Sequence, residues 1–289
     1  MVRTKTLALV TAACLFAGCT SPRRLTVASK NFTEQLVLGE ILAQQIERRL
    51  RIKVERKLNL GGTLLAQQAL QSGQIDLFPE YTGTAVTNVL KLAPSADAAA
   101  VLAQVRSEYR RRWNIEWLDP FGFNNSFAMV IRGDEARRGK LETLTEAARY
   151  KRDWIMGAGY EFLQRPDGFA GLVKTYDLSV KGTPASMDLG LLYQALGQRQ
   201  VDIVAASATD GLLSVLDVKA LRDDRGYFPP YEAAPLVRAE ALAAFPGLRE
   251  ALQELAGAIP TATMQRLNYQ VDGTHRAVAE VAAEFLKAR

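Results

Sequence analysis

One pattern of helix, strand and loop occurs twice in the chain, and this repeat limits the possible folds more than any other feature. The first copy is LLAQQALQSGQIDLFPEYTG, starting at Leu64, and the second is GLLYQALGQRQVDIVAASATDG, starting at Gly190. The copies align at a constant offset that places Tyr81 opposite Ser207. Chance similarity between amphipathic helices is the alternative explanation. A true repeat predicts two similarly built α/β lobes whose loops face each other.

Strand and helix patterns alternate through the first part of the chain. The predicted elements are strands over residues 24–29, 51–60 and 74–78 and helices over 31–50 and 61–73. Asn31 is the candidate N-cap of the first helix, with Glu34 three residues later as its capping-box partner. Such alternation implies a parallel sheet, whose ligand sites lie at the carboxyl ends of the strands. Lys30 and Tyr81 follow two of these ends.

The N-terminus has the pattern of a secretory signal. Arg3 and Lys5 precede an apolar run from Leu7 to Gly18, which is too short to cross a bilayer as a helix of about 20 residues. The small residues before Cys19 resemble the lipobox of bacterial lipoproteins. We therefore expect a signal peptide over residues 1–18, lipidation at Cys19 and a tether over 19–23, in the periplasm or on the outer face of the cell membrane. An ordinary cleaved signal with an incidental cysteine is the alternative.

Composition excludes several classes of function. The net charge of +5 falls to +3 without Arg3 and Lys5, because no acid precedes Cys19, and this is too small a charge to indicate nucleic-acid binding. The basic run YRRRW, residues 109–113, is expected to form the solvated end of a helix. His275 is the sole histidine, and no cysteine follows Cys19, so a His/Cys metal site is excluded and a histidine-based triad is disfavoured.

Two extended segments are expected to connect the lobes. They are FNNSFAMVIR, residues 123–132, and YFPPYEAAPLVR, residues 227–238. Pro229, Pro230 and Pro235 predict that the second segment lies at a sheet edge or in a connection. The predicted division assigns residues 24–121 and 239–289 to the first lobe and 122–238, with the connections, to the second.

Several motifs together carry a resemblance to a known family. In chain order they are SKNFTEQLVLGEIL, IDLFPEYTGT, FGFNNSFAMVIR, EFLQRPDGFAGL, MDLGLLYQAL, ATDG, FPPYEAAPLVR and LNYQVD. They resemble the substrate-binding proteins of ABC importers for glycine betaine, choline and related osmoprotectants. The resemblance implies a type II periplasmic-binding-protein fold, each lobe a mostly parallel sheet flanked by helices, that closes over a quaternary ammonium ligand. It also implies delivery to a membrane permease driven by a cytoplasmic ATPase, by a monomer without a cofactor.

The resemblance assigns an aromatic cage to the ligand's cationic head. A trimethylammonium group has no N–H to donate, so aromatic faces hold it through the ring quadrupole, at about 0.5–2 kcal/mol each. The matching rings are Tyr81, Phe127 and Tyr231, whereas Ser207 stands where the family has a fourth aromatic residue. This gap favours a weak betaine binder or a bulkier ligand. Another aromatic residue, such as Tyr160 or Tyr193, is a possible substitute.

The resemblance also implies a site for a ligand carboxylate. Lys30 precedes the first helix, where free backbone N–H groups favour an anion. Arg165 matches the family's carboxylate-binding arginine, and Thr84 adds a hydroxyl. Asn125 is expected to offer its backbone carbonyl to the methyl groups. The alternatives are a solvated lysine and an arginine that caps a helix end.

These observations predict an extracytoplasmic receptor for glycine betaine, choline or a related betaine. A receptor for carnitine, ergothioneine or an amino acid on the same fold is the first alternative. An enzyme that uses Asp76, Glu80, Asp202 and Asp210 as acid–base pairs is the second. Catalysis is disfavoured because the sequence has no nucleophile elbow, phosphate loop or metal-ligand spacing. Asp76 and Asp202 occupy equivalent positions of the repeat, which favours a structural role.

Overall fold

The computed structural model of the protein describes residues 24–93, 95–150 and 153–289. The predicted signal peptide, Cys19 and the tether lie outside the described residues. The described chain forms two sheets, each flanked by helices and each packed on its own hydrophobic clusters. The predicted two-lobed α/β architecture is confirmed. The sheets are mixed and not mostly parallel as predicted, because two of the four strand pairings in each are antiparallel.

The first lobe is built on a mixed sheet. Its strands are β1 (Leu25–Ala28), β2 (Val54–Lys57), β3 (Leu77–Tyr81), β4 (Ile115–Trp117) and β10 (Ala233–Arg238). Its helices are α1 (Thr33–Leu50), α2 (Thr63–Gln71), α3 (Thr82–Thr84) with a π-helical turn (Ala85–Leu90), α4 (Ala98–Trp113), α10 (Ala239–Ala244), α11 (Leu248–Gln253), α12 (Thr261–Asp272) and α13 (Val278–Lys287). The strand order is β2-β1-β3-β10-β4. The strand β1 is parallel to β2 and β3, and β10 is antiparallel to β3 and β4.

The second lobe has an equivalent sheet. Its strands are β5 (Phe127–Arg132), β6 (Met156–Ala158), β7 (Ala185–Ser186), β8 (Ile203–Ser207) and β9 (Val218–Leu221). Its helices are α5 (Gly133–Gly139), α6 (Leu144–Arg149), α7 (Tyr160–Gln164), α8 (Phe169–Tyr176) and α9 (Leu192–Gly197), with 3₁₀ turns at Leu189–Leu191 and Gly211–Ser214. The strand order is β7-β6-β8-β5-β9.

The repeat seen in the sequence corresponds to equivalent elements of the two lobes. At the constant offset, β3 falls on β8, and α2 falls on the 3₁₀ turn Leu189–Leu191 followed by α9. In each sheet the repeated strand lies between a parallel neighbour and an antiparallel one. The repeat is therefore structural and does not reflect chance similarity.

Asp76 and Asp202 have the same structural role in the two lobes. Asp76 Oδ2 accepts a hydrogen bond from Thr26 N at 2.9 Å, and Asp202 Oδ2 accepts one from Ile155 N at 3.2 Å. Each aspartate thus lies just before the repeated strand, β3 or β8. It accepts from a backbone N–H on the parallel neighbour, in β1 for Asp76 and directly before β6 for Asp202. These bonds account for both carboxylates as parts of the sheet framework.

The position of β10 differs from the prediction. Residues 233–238 were assigned to the second lobe's connections, and Pro235 was expected at an edge, but β10 lies inside the first sheet between β3 and β4. Pro235 lies opposite Pro79, and its carbonyl accepts from Leu118 N at 3.1 Å, just beyond β4. The N–H and C=O of a strand residue point to the same side, so the missing N–H faces the end of β4 and not β3.

The start of α1 also differs from the prediction. The helix begins at Thr33 with Phe32 as its N-cap, and no side chain caps it. Asn31 is exposed, whereas Glu34 is buried. The predicted capping box is therefore wrong, because Glu34 points into the protein and bonds other partners there.

The basic run at residues 109–113 forms the end of α4, as predicted. Tyr109 is buried, Arg110 pairs with Glu116, and the next two arginines pair with Glu108. In the described part of the chain, no helix combines the length and apolar character needed to span a bilayer. In the same residues, no group of His, Cys, Asp and Glu side chains is suited to hold a metal ion.

Candidate ligand-binding cleft

The residues that the sequence predicts for the ligand site lie where loops of the two lobes meet. They are Lys30 after β1, Tyr81 at the end of β3, Thr84 in α3, Asn125 and Phe127 at the crossing into β5, Arg165 after α7, Ser207 at the end of β8 and Tyr231 before β10. Hydrogen bonds and ring contacts connect them through neighbouring side chains. Their role as ligand contacts stays a prediction.

Lys30 and Glu80 form a buried ion pair in the first lobe. Lys30 Nζ lies 2.6 Å from Glu80 Oε1, and both side chains are almost inaccessible to solvent. Burial raises the pKa of Glu80 above its ordinary value, while the Lys30 ammonium acts in the opposite direction. Lys30 Nζ also lies 4.7 Å from the centroid of the Tyr81 ring and 5.7 Å from that of Phe32. The predicted anion-binding lysine therefore has both a carboxylate and aromatic partners within the protein.

Arg165 and Asp167 form the corresponding pair in the second lobe. The guanidinium donates two hydrogen bonds to the carboxylate, Nε to Oδ1 at 2.8 Å and Nη2 to Oδ2 at 2.6 Å. Burial alone would raise the pKa of Asp167, but the Arg165 guanidinium and the hydroxyls of Tyr231 and Thr87 outweigh it and hold this pKa below its ordinary value. Arg165 Nη1 also donates to Thr84 Oγ1 at 3.0 Å. The pair therefore reaches into the first lobe.

The π-helical turn after α3 adds a second contact to Asp167. Thr87 donates to Asp167 Oδ2 at 2.9 Å, and Tyr231 donates to the same oxygen at 2.5 Å. A Cβ at Gly83 would lie 2.7 Å from the ring of Tyr231, so only glycine permits this close approach within PEYTGT. Thr84 of the motif and Thr87 just after it thus bring hydroxyls of the first lobe to an ion pair of the second.

Aromatic rings surround the Arg165 guanidinium. Its carbon Cζ lies 5.1 Å from the centroid of Phe127 and 5.4 Å from that of Tyr231. The centroids of Phe127 and Tyr231 are 5.9 Å apart. Phe162 and Phe228 lie against Phe127 at 4.8 and 5.7 Å. The predicted rings of the second lobe thus form one group with two neighbours that the sequence analysis did not assign.

Glu34 lies at the centre of a polar network in the cleft. Its oxygens accept hydrogen bonds from the Tyr81 hydroxyl at 2.7 Å, Asn125 Nδ2 at 2.7 Å, Asn268 Nδ2 at 3.1 Å and the Thr209 hydroxyl. Burial raises the pKa of Glu34, and the four donors act against this rise. Because Thr209 belongs to the second lobe and Asn268 to α12 of the first, Glu34 connects the lobes.

Ser207 presents a hydroxyl at the position where an aromatic residue was expected. It is half-buried, it pairs with Phe127 across β8 and β5, and its Oγ donates to Asn125 Oδ1. The suggested substitutes do not fill this place, since Tyr160 is 69% exposed and Tyr193 packs in a hydrophobic cluster of the second lobe. This end of the cleft is therefore polar.

Several bonds between the lobes show that the cleft is closed. Besides the contacts of Arg165, Thr87 and Thr209, the backbone N–H of Thr63 at the start of α2 donates to Glu161 Oε1 at 3.2 Å. Gln265 in α12 donates to the Ala208 carbonyl at 3.0 Å. The candidate site is thus formed by residues of both lobes.

Four kinds of contributor to the cleft were not predicted from the sequence. They are the anionic partners Glu80 and Asp167, the network centre Glu34, the bridging hydroxyls Thr87 and Thr209, and the supporting rings Phe32, Phe162 and Phe228. Glu80 and Asp167 stand beside predicted site residues in PEYTGT and QRPDG, and this adjacency was the available signal. The three rings also lie within quoted motifs, close to Lys30, Arg165 and Tyr231. This signal is weaker, because an aromatic residue in such a motif is more often part of the core.

Two α/β lobes with equivalent sheets, two chain crossings and a closed cleft between strand ends define a type II periplasmic binding protein. The family described as the substrate binding domain of ABC-type glycine betaine transport systems matches residues 23–288. The chain belongs to this family, whose members are transport proteins and not enzymes.

Related proteins of the same kind cover most of the chain. The ergothioneine transport permease/ergothioneine binding protein of Helicobacter pylori is 34% identical over 266 residues, which make up 91% of this chain and 47% of that protein. The chain thus spans about half the length of this relative. The carnitine transport binding protein of Listeria monocytogenes is 32% identical over 272 residues, 93% of this chain and 88% of that protein.

A solved structure shares the fold. It is described as a glycine betaine/carnitine/choline ABC transporter, is 31% identical, has a TM-score of 0.79 and covers 91% of this chain and 98% of its own. The predicted fold and family are confirmed.

Proposed function

We propose that this protein captures a quaternary ammonium compound, such as glycine betaine or choline, between its lobes and delivers it to an ABC permease. The observation that carries the proposal is the grouping of Tyr81, Phe127 and Tyr231 around one closed cleft in a member of this family. Aromatic faces suit a methylated cation because they attract charge without a donated hydrogen bond.

The charges of the cleft also support a cationic ligand. Lys30 and Arg165 are each paired with a carboxylate, Glu80 and Asp167, and Glu34 adds a further acidic group. The cleft thus holds at least as many acidic as basic groups. A positively charged head is therefore the part of the ligand that this charge balance favours.

A ligand carboxylate would share partners that the protein already uses. Thr84, Lys30 and Arg165 are the proposed contacts, and Asn125 the proposed contact of the methyl groups. Because Arg165 bonds Thr84 across the lobes at 3.0 Å, a carboxylate held there would couple binding to closure. Affinity would then reflect the difference between ligand contacts and the free energy of closing.

The second candidate is a bulkier ligand of the carnitine or ergothioneine type. Ser207 favours it, because a serine leaves space and a hydrogen-bonding group where an aromatic wall would stand. The names of the Helicobacter pylori and Listeria monocytogenes relatives point to these two compounds. The proposal of transport, without enzymatic activity, is the same for either ligand.

The location and anchoring of the protein are part of the proposal. Cys19 would carry a lipid that holds the folded domain at the outer face of a membrane, close to the permease. Labelling with a radioactive fatty acid tests this: wild-type protein should incorporate label, and Cys19→Ser should not. Incorporation by the variant would contradict lipidation at Cys19.

Calorimetric titration tests the ligand. The purified protein is titrated with glycine betaine, choline, carnitine, ergothioneine and proline, and at least one methylated amine should give saturable heat. Tyr81→Leu should weaken that binding, whereas the control Tyr150→Leu, which changes a ring next to Trp154 in the second lobe, should not. Heat from proline alone would defeat the proposal.

A further inference from the structure

The hydroxyl protons at the Ser207 end of the cleft are all directed within the protein. Tyr81, Asn125, Asn268 and Thr209 each donate to Glu34. The Ser207 hydroxyl donates to Asn125 Oδ1. Since a hydroxyl has one proton, neither Thr209 nor Ser207 has another proton to offer to a ligand.

This arrangement leaves unused acceptors in the cleft wall. Ser207 Oγ and Thr209 Oγ1 are 3.2 Å apart, and either hydroxyl can donate to the other. A hydroxyl oxygen has two lone pairs, so Ser207 Oγ keeps at least one for a further donor. Among the described residues, no other group donates to Ser207 Oγ, and Asn125 Oδ1 receives a bond only from Ser207. Ser207 and Asn125 are half-buried, so their remaining lone pairs stay within reach of a ligand.

We propose that Ser207 Oγ and Asn125 Oδ1 form an acceptor wall that selects ligands with an N–H or O–H donor near the cationic head. This inference deepens the proposed function and rests on it. A fully methylated ammonium group meets the wall with C–H groups and leaves the acceptors unsatisfied. A ligand hydroxyl, ring N–H or protonated amine satisfies them.

Two pairs of ligands test the proposal directly. Carnitine and γ-butyrobetaine differ only in a hydroxyl, and N,N-dimethylglycine differs from glycine betaine in an N–H that replaces a methyl group. In wild-type protein, carnitine should bind about threefold to tenfold more tightly than γ-butyrobetaine, as one added hydrogen bond allows. In the same way, N,N-dimethylglycine should bind more tightly than glycine betaine.

Variants of Ser207 identify the acceptor. Ser207→Ala should reduce both ratios toward one, while Ser207→Thr, which keeps the oxygen, should preserve the preference for carnitine. The control Ser179→Ala removes an exposed hydroxyl of the second lobe that bonds Asp153 and should change neither ratio. Calorimetry gives all affinities, and the wild-type ligand pairs need no variant to fold.

The outcomes separate this inference from the proposed function. Equal affinities within the carnitine pair, or a preference that Ser207→Ala leaves unchanged, would overturn the acceptor wall and leave the receptor function standing. Failure of every methylated amine to bind would overturn the receptor function and the inference with it.

Discussion

The carboxyl ends of β3 and β8 occupy the same place in their lobes but carry different side chains. Both strands lie between a parallel and an antiparallel neighbour, and both follow an aspartate that bonds a backbone N–H of the parallel side. The first ends in Tyr81 and the second in Ser207. Equivalent frameworks therefore do not imply equivalent sites, because the framework depends on the buried strand and the site on its last residue.

The two buried ion pairs differ in a similar way. Lys30 and Glu80 both belong to the first lobe. Arg165 pairs with Asp167 within the second lobe and also donates to Thr84 of the first. Closure of the cleft can therefore change the surroundings of Arg165 more than those of the Lys30–Glu80 pair.

Replacement of Arg165 should have the largest effect on stability. Arg165→Met leaves the buried Asp167 carboxylate without its cation, and the free energy of unfolding should fall by about 3–5 kcal/mol. Urea unfolding measures this change. The control Arg137→Met breaks an exposed pair with Asp217 and should leave the free energy nearly unchanged. Similar small effects of both variants would contradict the importance of the buried Arg165–Asp167 pair.

Replacement of Glu34 by its neutral isostere should have the next largest effect. In Glu34→Gln, the side-chain amide faces an asparagine amide on either side, because each carboxylate oxygen accepts from one asparagine. A donor then opposes a donor, and the free energy of unfolding should fall by about 1–3 kcal/mol. Urea unfolding, with the exposed Glu55→Gln as control, checks this. An unchanged midpoint would show that the network tolerates a neutral group.

Removal of single rings should weaken ligand binding from either side of the cleft. Tyr81→Leu and Tyr231→Leu should each reduce the affinity for a bound methylated amine about tenfold, since one cation–π contact contributes about 0.5–2 kcal/mol. The matched variants Tyr81→Phe and Tyr231→Phe keep the ring and should lose less. Calorimetry distinguishes them; equal losses for Leu and Phe would assign the effect to the hydroxyl bonds with Glu34 and Asp167.

Conversion of Ser207 to an aromatic residue would make the two strand ends alike. Ser207→Tyr should raise the affinity for glycine betaine by up to about tenfold, because it adds one ring to the cage. It should not raise the affinity for carnitine, since the acceptor oxygen is lost. Unchanged binding of glycine betaine would show that a ring at this position does not reach the ligand.

A small pH effect is expected from Asp210, whose carboxyl accepts a bond from Leu212 N at 3.0 Å. Burial raises its pKa from 3.8 to about 6. A raised pKa favours the protonated form in the folded protein, so this contribution to stability is present below about pH 4 and is lost as the pH rises through about 6. Relative to Asp210→Asn, wild type should therefore lose about 1 kcal/mol between pH 4 and pH 7, reduced by partial exposure. An identical pH profile for both proteins would contradict the shift.

The sequence predicted the alternation of strands and helices and the rings and cations that lie along the cleft. It failed at Glu34, which satisfied a local capping pattern but bonds Asn268, 234 residues away. It also failed at Pro235, which is tolerated inside a sheet because it lies opposite Pro79 and beyond the end of β4. In both cases the deciding partner is distant in the chain, and no local pattern records it.

By itself the sequence determined that two repeated α/β units would place Tyr81 and Ser207 at matching strand ends, because hydrophobic periodicity and turn residues are local signals. Only the tertiary structure decided that Lys30 and Arg165 are already paired with Glu80 and Asp167, and that Glu34 connects the lobes. Ion pairing and burial depend on which side chains share a low-dielectric space, and long-range packing alone brings those side chains together.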